Sequence, residues 1–220
     1  PEWPYAPAAG HALLDEAGYA QRDAGGFRLD PSGARFAPAL GTTAGNALRL
    51  RVTQMFRENM AACGIDVDLT YLPAGEWFAG GPEGVLFGRR YELGLFSWLT
   101  GVRPPCDLYL SSRVPGPAGE LFPATGVAYN GWGGDNQNNT GWANAAYDAA
   151  CQTALSSLPG TPAYEQSHVA AQQIFSEELP VLPLFLSLKV SATRPEVLNF
   201  SLDSTQNSEL YNIYEYDLAP

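Results

Sequence analysis

The stretch RYELGLFSW, residues 90–98, constrains this chain more than any other segment. Read with period two, Tyr91, Leu93 and Leu95 fall on one face, and Glu92, Gly94, Phe96 and Trp98 on the other. Both faces are largely apolar, which suits a central strand covered on both sides. A Pro/Gly-rich loop, TGVRPPCDLYLSSRVPGPAGE, follows at once. Ligands of open α/β sheets sit beyond the carboxyl ends of the strands. Trp98 therefore stands where a ligand would meet the fold, and no catalytic residue accompanies it. Binding rather than chemistry is the expectation.

The residues before this strand supply the layers it needs. HALLDEAGYA (11–20) predicts a short helix, with Leu13, Leu14 and Ala17 on one face and Gly18 just past its end. GFRLDPSGARFAPALGTT carries a Pro-Ser-Gly turn and reads as a hairpin or as two short strands. From Asn46 to Cys63 the spacing turns helical: Leu48, Val52, Met55, Phe56 and Met60 form the apolar stripe, and Gly64 stops it. IDVDLTYL (65–72) then alternates, with Ile65, Val67, Leu69 and Tyr71 inward, as in a strand with one wet face near an edge. A turn of helix from Gly75 to Phe78 leads to the strand at 90–98. Strand, helix, strand, short helix, strand describes an α/β unit with right-handed crossovers.

Beyond it the pattern loosens. Residues 99–142 show no sustained periodicity, and a loop that long is functional or disordered. Its bulky aromatics, among them Tyr129, Trp132 and Trp142, argue against disorder. Two helices are predicted next, over 144–157 and 161–178, the second capped by Thr161 with Pro162 at its first position. PVLPLFLSL (180–188) reads as a buried strand entered through two prolines, and the tail from Val190 is polar with scattered Tyr.

Size and charge narrow the functions. The 220 residues suffice for one substantial domain or a domain with a short appendage. A net charge of −11, with only 12 basic residues, disfavours nucleic acid and anionic membranes as partners. No apolar run approaches the roughly 20 residues of a membrane span. The chain begins at Pro1 without Met and reads as an excised segment, so the lack of a targeting segment says nothing of a parent protein. Of the three cysteines, Cys63 lies on a helical pattern and reads as a buried thiol, whereas Cys106 and Cys151 could form a disulfide in an oxidising compartment.

Catalytic patterns are missing. There is no G-x-S-x-G elbow, and the two histidines, His11 and His168, fall on predicted helices, where His168 reads as a surface residue. Neither has a second metal ligand at helical spacing, and the acidic stretch around Asp135 lacks the EF-hand spacing. The glycines at 80, 81, 84 and 88 match no phosphate-binding motif. No metal and no cofactor are expected. What remains is a cleft lined by rings and amides, which binds by stacking and hydrogen bonding.

Six segments together resemble one family. YAPAAGHALLDEAGY resembles the Y-x-P-x-x-A-x-x-L-L-x-E-A-G-Y/W segment in the second lobe of extracellular solute-binding proteins of ABC importers, of the peptide/nickel type called family five. MFRENMAACGIDVDL resembles its helix into a G-I-x-V strand, LPAGEWF its W-x-x-F step and RYELGLFSW its Y-D-x-x-x-x-x-W strand. NTGWANAAYDAAC and AQQIFSEELPVLPLF resemble its N-x-x-x-Y-x-N-P-x-x-D and A-x-x-I-L-x-E-D-x-P-x-I-P-L segments. All six stand in the family's order across residues 5–186.

The resemblance implies a type II periplasmic-binding-protein fold: a mixed sheet flanked by helices, with a long irregular loop. Residues 1–187 would be the ligand-binding second lobe, and 188–220 the segment that returns to a first lobe absent here. It implies capture of a small solute, an oligopeptide or oligosaccharide, by hinge closure, and delivery to a membrane permease. No catalysis is implied. The site would lie outside the cytoplasm, in the periplasm or on the cell surface, with a lipid anchor on the whole protein. Trp77 and Trp98 match the family's two ligand-flanking aromatics; Thr100, Arg103, Trp132, Asn139 and Trp142 are further cleft candidates from the loop. One departure stands out. Peptide binders place an Asp shortly after the second Trp, paired with the peptide's ammonium, where this chain has Gly101; its next acid is Asp107. A buried ammonium without a carboxylate is costly. Ordinary free-amine peptides are therefore in doubt unless Asp107 or the first lobe supplies the charge, and an oligosaccharide suits the aromatic site as well. The alternatives are a carbohydrate-active domain, which would need two carboxylates facing across the cleft, and an adhesion module without a cleft beside Trp98.

Overall fold

The computed structural model describes residues 3–98, 104–186, 188–203, 206 and 208–219. The chain divides into two units, one of residues 1–97 and 106–178, the other of 98–105 and 179–220. In the first unit, α1 (Pro7–Leu14) continues into a wider turn, Asp15–Tyr19, that ends where Gly18 takes φ +96°. The segment that follows folds back around a turn at Asp30–Gly33 through single antiparallel bridges, Arg22 to Arg28 and Leu29 to Arg35. Arg28 gathers these pieces. Only 1% exposed, it donates to the Asp15 carboxylate at 2.5 Å, to Tyr19 O at 2.6 Å and to Cys63 O at 2.9 Å.

The sheet is formed by β1 (Ala39–Thr43), β2 (Asp68–Leu72) and β3 (Leu93–Leu95), all parallel, in the order β2-β1-β3. Between β1 and β2 runs α2 (Ala47–Ala62), started by the Asn46 side chain, which accepts from Arg49 N–H, and ended by Gly64 at φ +85°. Between β2 and β3 lies the single turn α3 (Ala74–Trp77). The expected alternation of β2 and its edge position are both found: Asp68 and Thr70 face out and Val67 is buried just before it.

The central strand, however, is β1 and not the stretch 90–98. The latter contributes three residues at the other edge, with Leu93 37% exposed. Its apolar character goes into ring packing instead: Tyr91 against Trp77 and Phe96 against Phe78, with centroids 5.9 and 6.5 Å apart. The stripe of α2 also differs. Val52, Phe56 and Met60 are half-buried and Thr53 is buried, but Leu48 and Met55 are exposed.

The irregular stretch after residue 105 is ordered by α4 (Ala145–Ser156) and α5 (Pro162–Glu178). Two tight turns, Cys106–Tyr109 and Ser111–Arg113, pack on this helical pair, where Cys106, Leu110, Tyr147, Cys151 and Ala171 form a core. Cys106 and Cys151 are bonded, and the Tyr147 hydroxyl donates to Cys106 O at 2.7 Å. Burial pushes the Tyr147 phenol above its ordinary range. His168 is buried against the Tyr164 ring, centroids 4.4 Å apart, and is not the surface residue its helix position suggests. Cys63 is free and half-buried.

In the second unit, β4 (Val197–Leu198) pairs antiparallel with β5 (Asp217–Leu218), and the Asn212 carboxamide ties Asn199 O to Glu215. The strand expected over 180–188 is not formed among the described residues. Leu182, Leu184, Phe185 and Leu186 are exposed, and Pro180 and Pro183 lack the N–H groups a ladder needs.

The disulfide closes a loop of sequence separation 45, worth about 2–4 kcal/mol. Reductant, or Cys106→Ser with Cys151→Ser, should lower the denaturant-unfolding free energy by that amount; an unchanged midpoint would show that the bond does not hold this region. Acid should destabilise the first unit. A bond from Arg28 holds the Asp15 carboxyl below its ordinary value, and one from the Ser32 hydroxyl does the same for Asp30. Both contributions are fully present above the ordinary carboxylate value of about 4 and are lost as pH falls from there through the lowered values of the folded state. Melting curves from pH 6 to pH 3 should therefore fall, and fall less steeply in Asp30→Ala.

Candidate functional site

The three parallel strands deliver Thr43, Leu72 and Ser97 to one end of the sheet, the end where such folds bind ligands. Thr42 locks the strand pair from within, its hydroxyl donating to Leu95 O at 2.6 Å. Arg49, in the first turn of α2, reaches across these ends. Its guanidinium donates to the Thr43 hydroxyl and, at 3.3 Å, to the Ser97 hydroxyl. Beside it a hollow of about 320 Å³ opens between the β1–α2 turn and β2, walled by Thr43, Gly45, Leu50 and Tyr71. The Tyr71 hydroxyl is already paired with Thr53 at 2.8 Å, so the wall is mostly apolar. A larger hollow of about 590 Å³ lies at the opposite, amino end of β2, between Arg57, Glu58, Asp66 and Asp68. Its position, behind the sheet, makes it the lesser candidate.

The residues singled out in the sequence fall in several places. Trp77 is fully buried, with its ring against the sheet where β1 and β3 carry glycines. A Cβ on Gly41 would lie 2.6 Å from the Trp77 ring, and one on Gly94 would lie 3.3 Å from that ring and 2.9 Å from Tyr91. Tyr91 in turn donates to Asn139 O at 3.0 Å, and burial pushes its phenol up to about 12. Asn139 is buried, and among the described residues its carboxamide and the Trp77 indole N–H find no hydrogen-bond partner. Trp132 is half-buried over Gly81. Trp142 packs edge-on against Tyr147 and Phe175, centroids 4.8 and 5.7 Å away, and donates to the Glu178 carboxylate at 2.6 Å. Trp98 is half-buried and belongs to the second unit, while Thr100 and Arg103, with Gly101, lie outside the described residues.

Much of the motif NTGWANAAYDAAC thus serves the scaffold. Asn138 donates to three carbonyls, Tyr109 O, Leu110 O and Trp142 O, at 2.9–3.0 Å; Asn144 caps α4, and Asp148 accepts from Ser111 N–H. Sequence reasoning does not single out Arg49, Thr43 or Ser97. The available signal is local: Arg49 is a cation in the first turn of a helix, where the helix dipole favours acids. Among the described residues, no group of three or more His, Cys, Asp or Glu side chains could hold a metal, and no helix is long and apolar enough to cross a membrane.

No protein-family model matches the chain. It is similar to the "Di/tripeptide-binding protein 2" of Pseudomonas aeruginosa strain UCBPP-PA14, with 27% identity over 206 residues, 91% of this chain and 32% of that protein. It is also similar to the "Probable ABC transporter periplasmic-binding protein SapA" of Escherichia coli K12, with 25% identity over 77% of this chain and 27% of that protein. The chain therefore spans less than a third of the length of the curated relatives it matches. Among solved structures, the oligopeptide-binding protein of Thermus thermophilus, complexed with a pentapeptide, matches with a TM-score of 0.67 at 26% identity, over 84% of this chain and 30% of that one. The oligopeptide-binding protein AppA of Bacillus subtilis, in complex with a nonapeptide, matches all of this chain and 39% of its own, with a TM-score of 0.71 at 18% identity. The chain is thus similar to peptide-binding and ABC-transporter periplasmic-binding proteins, and it has the type II periplasmic-binding-protein fold. These relatives are binding proteins and not enzymes, in line with the missing catalytic patterns.

The fit of Trp77 into the sheet can be tested directly. Gly41→Ala should cost about 1–3 kcal/mol of unfolding free energy, the usual penalty for overpacking. Adding Trp77→Leu should recover part of that loss in a double-mutant cycle. Additive losses would mean that the indole does not press on Gly41.

Proposed function

We propose that this chain is the ligand-binding second lobe of a solute receptor that serves an ABC importer outside the cytoplasmic membrane. The observation that carries the reading is the order of the sheet with its furnished carboxyl end: Thr43, Ser97 and Arg49 beside an apolar hollow. In this reading residues 1–187 form the lobe, and 188–220 return to a first lobe that supplies the other wall of the cleft. The solute is held between the lobes as they close about the hinge, and the closed form docks on the permease. A lipid anchor on the whole protein would keep the receptor at the membrane. The exposed apolar run Leu182–Leu186 supports a partner of this kind, since such runs on soluble proteins mark surfaces that another body covers.

Of the aromatic candidates, Trp98 and Trp132 are only half-buried and could still meet a solute, while Trp77 supports the sheet from below. The solute is an oligopeptide or an oligosaccharide. A peptide is favoured by similar proteins named for peptides, among them the Pseudomonas aeruginosa protein and the Thermus thermophilus protein complexed with a pentapeptide.

A thermal-shift screen of the two-lobed protein against peptide and oligosaccharide panels tests the proposal. A true solute at a hundredfold its Kd should stabilise the protein by about 2.7 kcal/mol. No shift with any member of either panel would defeat the transport reading. Stabilisation by free-amine peptides alone would place their ammonium partner on Asp107 or on the first lobe.

A further inference from the structure

Within that reading of the chain as a solute receptor, we propose that Arg89 is a positioning residue. Without touching the solute, it pins the irregular stretch 116–142 to the connection between α3 and β3 and so sets where Trp132 stands. The first observation is its backbone. Arg89 takes φ +54°, and only Leu179 and Asn199 join it as non-glycine residues at positive φ among the described residues. That conformation is strained for a residue with a Cβ and persists only where the surroundings over-determine it. Glycine would adopt it freely, and the same loop carries glycines at 80, 81, 84 and 88. An arginine kept at such a position points to a task for its side chain.

The surroundings do over-determine it. Leu86 is fully buried, and its N–H donates to Trp77 O at 3.1 Å, which ties the loop to α3. Arg89 N–H donates back to Leu86 O at 3.1 Å, and Arg90 N–H to Val85 O at 2.9 Å. Gly84 and Gly88 pass so close to the backbone of Ala79 and Pro82 that neither has room for a Cβ.

The second observation is where the guanidinium goes. Arg90 pairs with Glu83 at 3.0 Å, whereas Arg89 pairs with no carboxylate among the described residues. Half-buried, it lies over the Phe122 ring, 5.9 Å from the centroid, and against Gly141, which it leaves no room for a Cβ. Phe122 packs on Tyr129 with centroids 5.3 Å apart, and Tyr129 covers Gly116. Gly116 N–H in turn donates to Gly131 O at 3.1 Å, one residue before Trp132.

The neighbours of Arg89 reach into the same stretch. Gly81 lies under the Trp132 ring, and Tyr91 donates to Asn139 O at 3.0 Å. Burial raises the Tyr91 phenol and the Arg89 charge acts against that rise, as expected of groups that lie close together. One short loop thus holds the irregular stretch at three points, and Arg89 is the point that carries backbone strain.

The experiment uses the two-lobed protein with Arg89→Ala, Arg89→Gly and Arg89→Lys. The probe is whichever of a tri- to pentapeptide library and a neutral hexasaccharide the unaltered protein binds. Alanine removes the long side chain and keeps the strained backbone, whereas glycine removes both, so Arg89→Gly should melt higher than Arg89→Ala. Both should nevertheless weaken the probe by the same factor in calorimetric titration. A loss of about 2- to 30-fold is expected, the range for residues that act on a site without contacting its ligand. Both should also speed amide exchange across 119–130 and 138–142. Arg89→Lys, which keeps a cation near Phe122, should fall between Arg89→Ala and the parent in affinity. Affinity that recovers with stability in Arg89→Gly, or that is unchanged in every variant, overturns the positioning role and leaves the receptor reading standing. Unchanged exchange across 119–130 does the same. Absence of binding by the unaltered protein with either probe overturns both.

Discussion

The architecture of the first unit turns on one indole and two glycines. Trp77 lies on the sheet because Gly41 of β1 and Gly94 of β3 present no side chain there; any Cβ at Gly41 would collide with the ring. That contact fixes α3 against the central strand and, through Tyr91, holds the approach to β3. Leu86 N–H adds a bond to Trp77 O at 3.1 Å, tying the following loop to the same turn. With β3 so placed beside β1, Ser97 arrives at the same end of the sheet as Thr43, where Arg49 can reach both. The candidate site is therefore a consequence of how the aromatic layer packs beneath it.

Much of this is legible in the sequence because it is local. Asn46 and Gly64 mark the ends of α2, Asn144 opens α4, and the alternation of Asp68, Thr70 and their neighbours gives an edge strand. The centre of the sheet is not legible. The central strand, ALGTT, is short and contains a glycine, and its burial comes from Trp77, a residue far along the chain. The apolar run around Tyr91 and Phe96 reads as central because its rings are buried by other rings rather than by a second sheet neighbour. His168 misleads for a related reason: helix position alone does not reveal the Tyr164 ring that covers it.

The ligand candidates show the same limit. Aromatic residues attract attention in a sequence, yet Trp142 is held by Tyr147, Phe175 and Glu178 and serves the helical pair. Arg49 attracts none, because an isolated Arg on a helix is ordinary until its partners are seen to be the hydroxyls of two strands. The disulfide and the Asn138 bonds make the scaffold around α4 stiff. Stiff support is what a receptor needs if the free energy of closure is to go into holding the solute rather than into ordering its own loops.

The most direct test of the account is hydrogen–deuterium exchange on the two-lobed protein with and without a saturating solute. The account predicts that amides of the β1–α2 turn, Ala44 to Ala47, and those at the end of β3 slow on binding. Amides around Glu58 and Asp66, at the far end of the sheet, should be unchanged. Protection confined to that far end, or absent from the β1–α2 turn, would contradict a solute site at the carboxyl ends of these strands.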